Sequence, residues 1–254
     1  MKALIGYTGF VGNNLLEQTT FDEQYNSKNI DSISGKHFDT IICAGAPAVK
    51  WYANKFPEED YASVSKLINN LKNVTCDTFI LISTVDVYKE PLNITEQTPI
   101  DAAELHTYGK NRLMLEKFVS DHFPKAHILR LPGLFGTGLK KNIIFDFMNN
   151  NNIDQIESRN VFQFYNLERL YSDIQITVEN NIPTVNVSTE PVSVEEIAKI
   201  AFNLDFENHL AAPTVKYDMQ SIHASLYGGE NGYFQSKSEV LNSIREFILA
   251  NGGN

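Results

Sequence analysis

The chain has 254 residues, 43% of them hydrophobic and 20% charged, which suits a globular protein with a sizeable core and argues against disorder. A net charge of −10 and a pI near 5.1 leave no electrostatic footprint for nucleic acid or for an anionic membrane, so neither partner is expected. No run approaches the ~20 apolar residues that span a bilayer and no signal peptide is evident, which predicts a cytoplasmic protein.

Residues 3–5 read as a short apolar strand that runs into Gly6-Tyr7-Thr8-Gly9-Phe10-Val11-Gly12 and then a helix over 11–18. Gly6 permits the turn off the strand, Gly9 lets the backbone approach a pyrophosphate, and Gly12 lets the helix lie tight on the sheet. The phosphates would meet the free N–H groups and the positive dipole end of that helix. Phe10 and Val11 join the three glycines as cofactor-binding candidates. The spacing is G-x-x-G-x-x-G, and its position between strand and helix adds weight to the glycines. A second strand over 20–25 ends at Asn26, Ser27 and Lys28, where a dinucleotide fold reads the adenosine ribose. These three offer no carboxylate, which favours NADP slightly over NAD.

A third strand over 38–46 is a continuous apolar run fit for burial on both faces of a parallel sheet. It ends in Ala44, Gly45 and Ala46, small residues over which a cofactor can lie. Pro57 opens a helix with Glu58, Glu59 and Asp60 in its first turn and Tyr61, Val64, Ile68 and Leu71 as its buried stripe. A fourth strand over 78–82 leads to the polar end Ser83-Thr84-Val85-Asp86-Val87-Tyr88. Asp101-Ala102-Ala103-Glu104 has the form of a capping box and predicts a helix over 101–123. Tyr108 and Arg112, four residues apart, fall on one face of it.

A fifth strand over 126–131 is halted by Pro132. Glycines at 133, 136 and 138 and the run Lys140-Lys141-Asn142 then precede a helix near 143–148, followed by an asparagine turn over 149–152. The remaining expectations are a strand over 161–165, a helix over 167–179, a last sheet strand over 184–187, a helix over 193–202 burying Ile197, Ile200 and Ala201, and a final helix over 236–249. Cys43 and Cys76 read as buried thiols rather than a disulfide, and the six histidines lack metal-ligand spacing, so no metal is expected.

The glycine turn, the Ser/Thr-rich strand end and the helical tyrosine converge at one crevice of a doubly wound α/β sheet. Their order, Gly6-x-x-Gly9-x-x-Gly12, Ala44-Gly45-Ala46, Ser83-Thr84-x-x-x-Tyr88 and Tyr108-Gly109-x-x-Arg112, resembles the extended short-chain dehydrogenase/reductases. Within that family it is most like the NAD-dependent epimerase/dehydratase group of nucleotide-sugar enzymes. The resemblance covers roughly residues 1–202. Residues 131–136 look like the family's segment after strand five, and 138–145 are similar to dTDP-dehydrorhamnose reductases.

The resemblance implies a Rossmann domain over 1–254 with a small C-terminal substrate lobe formed mainly by about 133–160 and 188–254. It implies an NAD(P)-dependent oxidoreductase or epimerase acting on a sugar or nucleotide sugar by hydride transfer. Thr84, Tyr108 and Arg112 become the catalytic set. Ala44, Gly45, Ala46, Ser83, Leu131, Pro132 and Gly133, with Tyr108 and Arg112, become cofactor contacts, and Thr84, Asp86, Lys140 and Asn142 substrate contacts. Extended family members are often dimers through two neighbouring helices, and the broad apolar arc of Met114, Leu115, Phe118, Val119 and Phe123 predicts a homodimer.

The family pattern is Tyr-x-x-x-Lys, and this chain has Arg112 at the lysine position. A free tyrosine ionises near ~10, so it exchanges protons near neutrality only where a cation stabilises phenolate. Arginine keeps the charge but directs its hydrogen bonds through a planar fork. Asp86 is followed by Val87 where Asp-Glu is typical of dehydratases, which argues against dehydration. Each residue also has a bland use: Thr84 as a strand-end cap, Tyr108 as a packing aromatic, Lys140 and Lys141 as solvated charges, Asn142 as a helix cap. The alternative function is a non-catalytic NAD(P)-binding protein, against which the retention of both Thr84 and Tyr108 speaks.

Overall fold

The computed structural model describes residues 1–252, and among these residues twelve strands and eight α-helices form. Positions 253 and 254 of the expected lobe lie outside the described residues. The strands are β1 (Lys2–Ile5), β2 (Glu23–Tyr25), β3 (His37–Cys43), β4 (Thr75–Thr84), β5 (Leu92–Ile94), β6 (Ala126–Leu131), β7 (Gly133–Phe135), β8 (Val161–Phe162), β9 (Phe164–Asn166), β10 (Thr184–Asn186), β11 (Val192–Ser193) and β12 (Asp218–Met219). The helices are α1 (Phe10–Gln18), α2 (Lys50–Lys55), α3 (Pro57–Leu71), α4 (Thr107–His122), α5 (Ile143–Asn149), α6 (Leu170–Glu179), α7 (Val194–Phe202) and α8 (Lys237–Ala250).

The chain divides into two compact units. The first comprises Met1–Lys89, Thr98–Arg130 and Leu170–Val185; the second comprises Glu90–Gln97, Leu131–Arg169 and the chain from Asn186 onward. The first is organised on a parallel Rossmann-like sheet of six strands in the order β10-β6-β4-β3-β1-β2. Its register places Ala3, Ile41 and Phe79 side by side, and likewise Ile5, Cys43 and Leu81. Side chains two residues apart share a face, so these rows form one wall of the core. Val64, Leu67 and Leu71 of α3 and Leu115 and Val119 of α4 pack against that wall, and Phe123 stacks on Phe79 at 4.2 Å between ring centroids. Each such large side chain contributes roughly 1.5–3 kcal/mol relative to exposure. Met114 and Phe118, part of the arc that predicted a homodimer, are partly buried against this same cluster.

The second unit holds three two-stranded pairs, β7 with β9, β5 with β12 and β8 with β11. Its core joins Phe135, Phe164 and Val192 to Ile144 of α5, Ile197 of α7 and Val240, Ile244 and Ile248 of α8. The last fifty residues, which no motif places, thus end in a helix that completes a core. A capping box between Ser236 and Glu239 starts it.

Several expected boundaries are corrected. The helix predicted from 101 begins at Thr107: the Asp101 side chain accepts from the Ala103 N–H in an isolated turn, and His106 provides the true cap by accepting from the Gly109 N–H. The third strand stops at Cys43, leaving 44–46 as the loop beyond it, and the fourth is longer than expected, running back to Thr75. In α3 the buried stripe is Asp60, Val64, Leu67 and Leu71, with Tyr61 51% exposed, because Asp60 faces an arginine partner in α4. The strand expected over 161–165 is two strands in different sheets. Gln163 between them is pinned by hydrogen bonds to Thr189 and Met219. A 3-10 turn over Leu167–Arg169 precedes α6. In α7 Val194, Ile197 and Ala198 are buried while Ile200 is exposed, the face being set by a helix that starts at Ser193's cap.

Both cysteines are free, and burial pushes each thiol up to about 12. Among the described residues no helix is long and apolar enough to cross a membrane.

Candidate active site

The turn after β1 is a cradle of backbone. Gly6, at φ +88°, donates its N–H to the Tyr25 carbonyl at 2.7 Å, and Gly9 donates to the Gly6 carbonyl at 3.0 Å. A Cβ at Gly6 would run into the Ala44 carbonyl, and one at Gly12 into the Gly6 carbonyl, so glycine is required for the loop to close. A Cβ at Gly9 meets only the Gly6 oxygen, at 3.3 Å, and otherwise points into open space. Gly9 is the N-cap of α1, whose first turn carries no acidic residue, leaving the early N–H groups of Phe10, Val11 and Gly12 to face an anion unopposed. These residues fit a dinucleotide pyrophosphate.

Two neighbouring segments flank the cradle. Ala44 and Gly45 approach it so closely that a Cβ on Gly45 would lie 2.8 Å from Ile5 Cγ2. Asn26, Ser27 and Lys28 form a tight turn off β2: Asn26 N–H donates to Asn29 Oδ1 and Lys28 N–H to Asn26 Oδ1, and the Ser27 and Lys28 side chains are exposed.

Thr84, Tyr108 and Arg112 come together. Thr84 ends β4 and Tyr108 lies in the first turn of α4, which brings the Thr84 hydroxyl close enough to act on the phenol. Two contacts fix the helix there. Gly109 lies so close to the Asp86 carbonyl that any side chain would collide with it, and the Tyr108 N–H donates to Asn54 Oδ1 of α2 at 3.0 Å. Arg112, one turn along, brings its guanidinium carbon to 4.0 Å from the Tyr108 ring centroid. Burial raises the phenol above the usual tyrosine range. The Arg112 charge and the Thr84 hydroxyl pull it down, while the carboxylates of Asp86 and Asp60 push it up. The net rise means that the phenol keeps its proton at neutral pH.

Four charged residues of this neighbourhood, Asp60, Glu116, Arg130 and Lys50, escape sequence reasoning. Asp60 is ion-paired with Arg112, and both are buried. Glu116, four residues beyond Arg112, accepts from the Ser83 hydroxyl at 2.5 Å and is ion-paired with Arg130, which in turn donates to Tyr88 at 2.7 Å. Ser83 and Tyr88 of the strand-end motif are therefore tied into a buried network. Lys50, at the start of α2, pairs with Asp86 at 2.6 Å. The only sequence signal for Glu116 is its helical spacing from Tyr108 and Arg112, and for Asp60 the need of a buried arginine for a counter-charge.

The other candidates lie in the second unit. Asn142, at φ 113°, caps α5 by accepting from Ile144 and Phe145 and donates to the Leu134 carbonyl. Gly133 pairs with Gln163 and leaves no room for a side chain, and Leu131 is buried. Lys140 is exposed, and burial lowers the pKa of neighbouring Lys141. Among the described residues one group, His37, Asp39 and Asp77, holds metal-type ligand atoms within 4.8 Å of one another. All three are exposed, and Asp39 is paired with the Met1 ammonium at 2.5 Å.

No protein-family model and no curated protein matches this chain. Solved structures do. The dTDP-4-dehydrorhamnose reductase of Bacillus anthracis, in complex with NADP, is 20% identical over 98% of each chain with a TM-score of 0.72. The UDP-glucose 4-epimerase of Thermotoga maritima, with UDP-glucose, is 14% identical over 99% of each chain with a TM-score of 0.72. An NAD-dependent NDP-hexosamine 5,6-dehydratase of tunicamycin biosynthesis is 14% identical over 98% of this chain and 97% of its own, with a TM-score of 0.73. At these identities the likeness is one of fold, and the chain has the Rossmann-type fold of nucleotide-sugar epimerases, dehydratases and dehydrorhamnose reductases.

Proposed function

We propose that the protein is an NAD(P)H-dependent enzyme that reduces the carbonyl of a keto sugar, in nucleotide-linked form. The observation that carries this reading is the buried Tyr108 phenol, with the half-buried Thr84 hydroxyl acting on it and a guanidinium against its ring. The solved structures of like fold with UDP-glucose or NADP bound support the substrate and cofactor classes. When bound, a nicotinamide cofactor supplies the hydride. Gly6, Gly9, Gly12 and the start of α1 hold its pyrophosphate, and the turn at 26–28 meets its adenosine ribose. Thr84 donates a hydrogen bond to the substrate oxygen and keeps it beside the phenol. Tyr108, protonated at neutral pH, gives that oxygen its proton as negative charge develops there. The Lys50–Asp86 pair offers both a donor and an acceptor to the sugar's neighbouring hydroxyls.

The test is a hydride-transfer screen of the purified protein with NADH and NADPH against nucleotide-linked keto sugars. Turnover that depends on Tyr108 is expected. Tight NAD(P) binding with no sugar turned over would replace this reading with the non-catalytic one. Cofactor preference is checked separately by calorimetry. Lys28→Ala is expected to weaken NADPH about tenfold and leave NADH unchanged, since a cation near the ribose acts on the extra phosphate alone. A strong NADH preference, unaltered in this variant, would reverse the assignment. Light scattering at micromolar concentration decides whether the protein is the expected homodimer.

A further inference from the structure

We propose that Asp60 is a positioning residue for Tyr108, holding the Arg112 guanidinium against the phenol ring and offsetting the charge that it presents there. The inference rests on the catalytic reading of Tyr108, but its test does not require turnover. Arg112 is 3% exposed and Asp60 5%. One oxygen of Asp60, Oδ2, receives both Arg112 Nη1 and, at 2.7 Å, the Asn111 side chain. Arg112 Nη2 donates to the Pro47 carbonyl, and Nη1 also lies 3.4 Å from the Tyr108 carbonyl. The remaining donor Nε is buried without a partner.

Two consequences follow from this geometry. The guanidinium faces three acceptors, in the loop after β3, in α3 and in α4, which the single ammonium of the familiar lysine could not span, so arginine at this position goes together with Asp60. It is also turned wholly into the protein. Buried there, it works on the ring it lies against. A lone buried cation there would favour phenolate strongly, and the carboxylate of Asp60 opposes it. Every charged or titratable group facing the phenol is then accounted for: Arg112 and His106 from α4 and its cap, Asp60 from α3, and Asp86 after β4, itself paired with Lys50 of α2. Thr84 adds a neutral hydroxyl.

The experiment is a spectrophotometric titration of Tyr108, isolated as the difference between each protein and its Tyr108→Phe counterpart. Asp60→Asn keeps an oxygen that can hold the guanidinium but removes the opposing charge, so it is expected to move the phenol's ionisation to lower pH by about one pH unit, and Arg112→Gln to move it upward by more. The double variant Asp60→Asn/Arg112→Gln removes both charges and is expected to titrate between wild type and Arg112→Gln. This double variant also covers the case in which Asp60→Asn leaves too costly a lone cation to fold: it must then differ from Arg112→Gln. Equal titration in all these proteins, a shift of both single variants in one direction, or a double variant indistinguishable from Arg112→Gln would overturn the proposal. A failure of the sugar screen with the phenol shifts intact would instead fall on the catalytic reading alone.

Discussion

Tyr108→Phe is expected to lower turnover by roughly a hundred- to ten-thousand-fold while leaving cofactor affinity nearly unchanged. The substitution removes one oxygen. The ring stays in place because its surroundings hold it: the Asn54 contact and the close approach of Gly109 fix the backbone, and the Arg112 guanidinium packs on the ring face, which phenylalanine retains. Only the hydroxyl and its proton are lost, and these matter chiefly as charge builds on the substrate oxygen. Steady-state kinetics on a verified substrate, with calorimetry for the cofactor, separate the two effects. Wild-type turnover in this variant would refute the assignment of Tyr108 as proton donor.

Gly9→Val is expected to weaken dinucleotide binding at least about a hundredfold in a protein that still folds, since a bulky side chain then fills the anion site. Gly9 sits at φ −82° and ψ 169°, extended backbone that valine adopts freely, and its Cβ would touch only the Gly6 carbonyl. The new side chain therefore enters the space in front of α1, the Gly6 carbonyl giving way by a few tenths of an ångström. Gly12→Val provides the contrast. Its Cβ would collide with the Gly6 carbonyl inside the protein, and overpacking of that kind costs about 1–3 kcal/mol of stability. Thermal melts and titrations with NADH and NADPH distinguish the pair: Gly9→Val with unaltered melting and lost affinity, Gly12→Val with lowered melting. Full affinity in Gly9→Val would remove the phosphate-site reading.

The parallel α/β sheet, the glycine turn and the common face of Tyr108 and Arg112 are legible in the sequence because each depends on local chemistry. A glycine where a Cβ cannot fit, an apolar run buried on two faces, and a helical interval of four residues all leave marks within a short window. Asp60 leaves none. It stands in an acidic first turn, Glu58-Glu59-Asp60, that reads as solvent-facing and dipole-compensating, and its burial is decided by Arg112, 52 residues away. Tyr61, the apolar-looking neighbour, is displaced to the surface by the same choice. Lys50 is likewise silent, since an exposed type of residue on a helix of six residues gives no periodicity to read. The start of α4 was hidden for a different reason. Asp101 makes a genuine local turn, and only the tertiary position of His106 determines which of two capping candidates begins the helix.

Gly109 has a consequence for how such a site can change. Because α4 rests on the Asp86 carbonyl with no side chain in between, the separation of donor and acceptor hydroxyls is gauged by main chain against main chain, as by a machined spacer. Substitutions elsewhere on the helix or in the lining loops cannot easily thin or thicken that spacer. Selection for a new sugar therefore has freedom to remodel the walls of the site, residue by residue, while the distance over which the proton moves stays set.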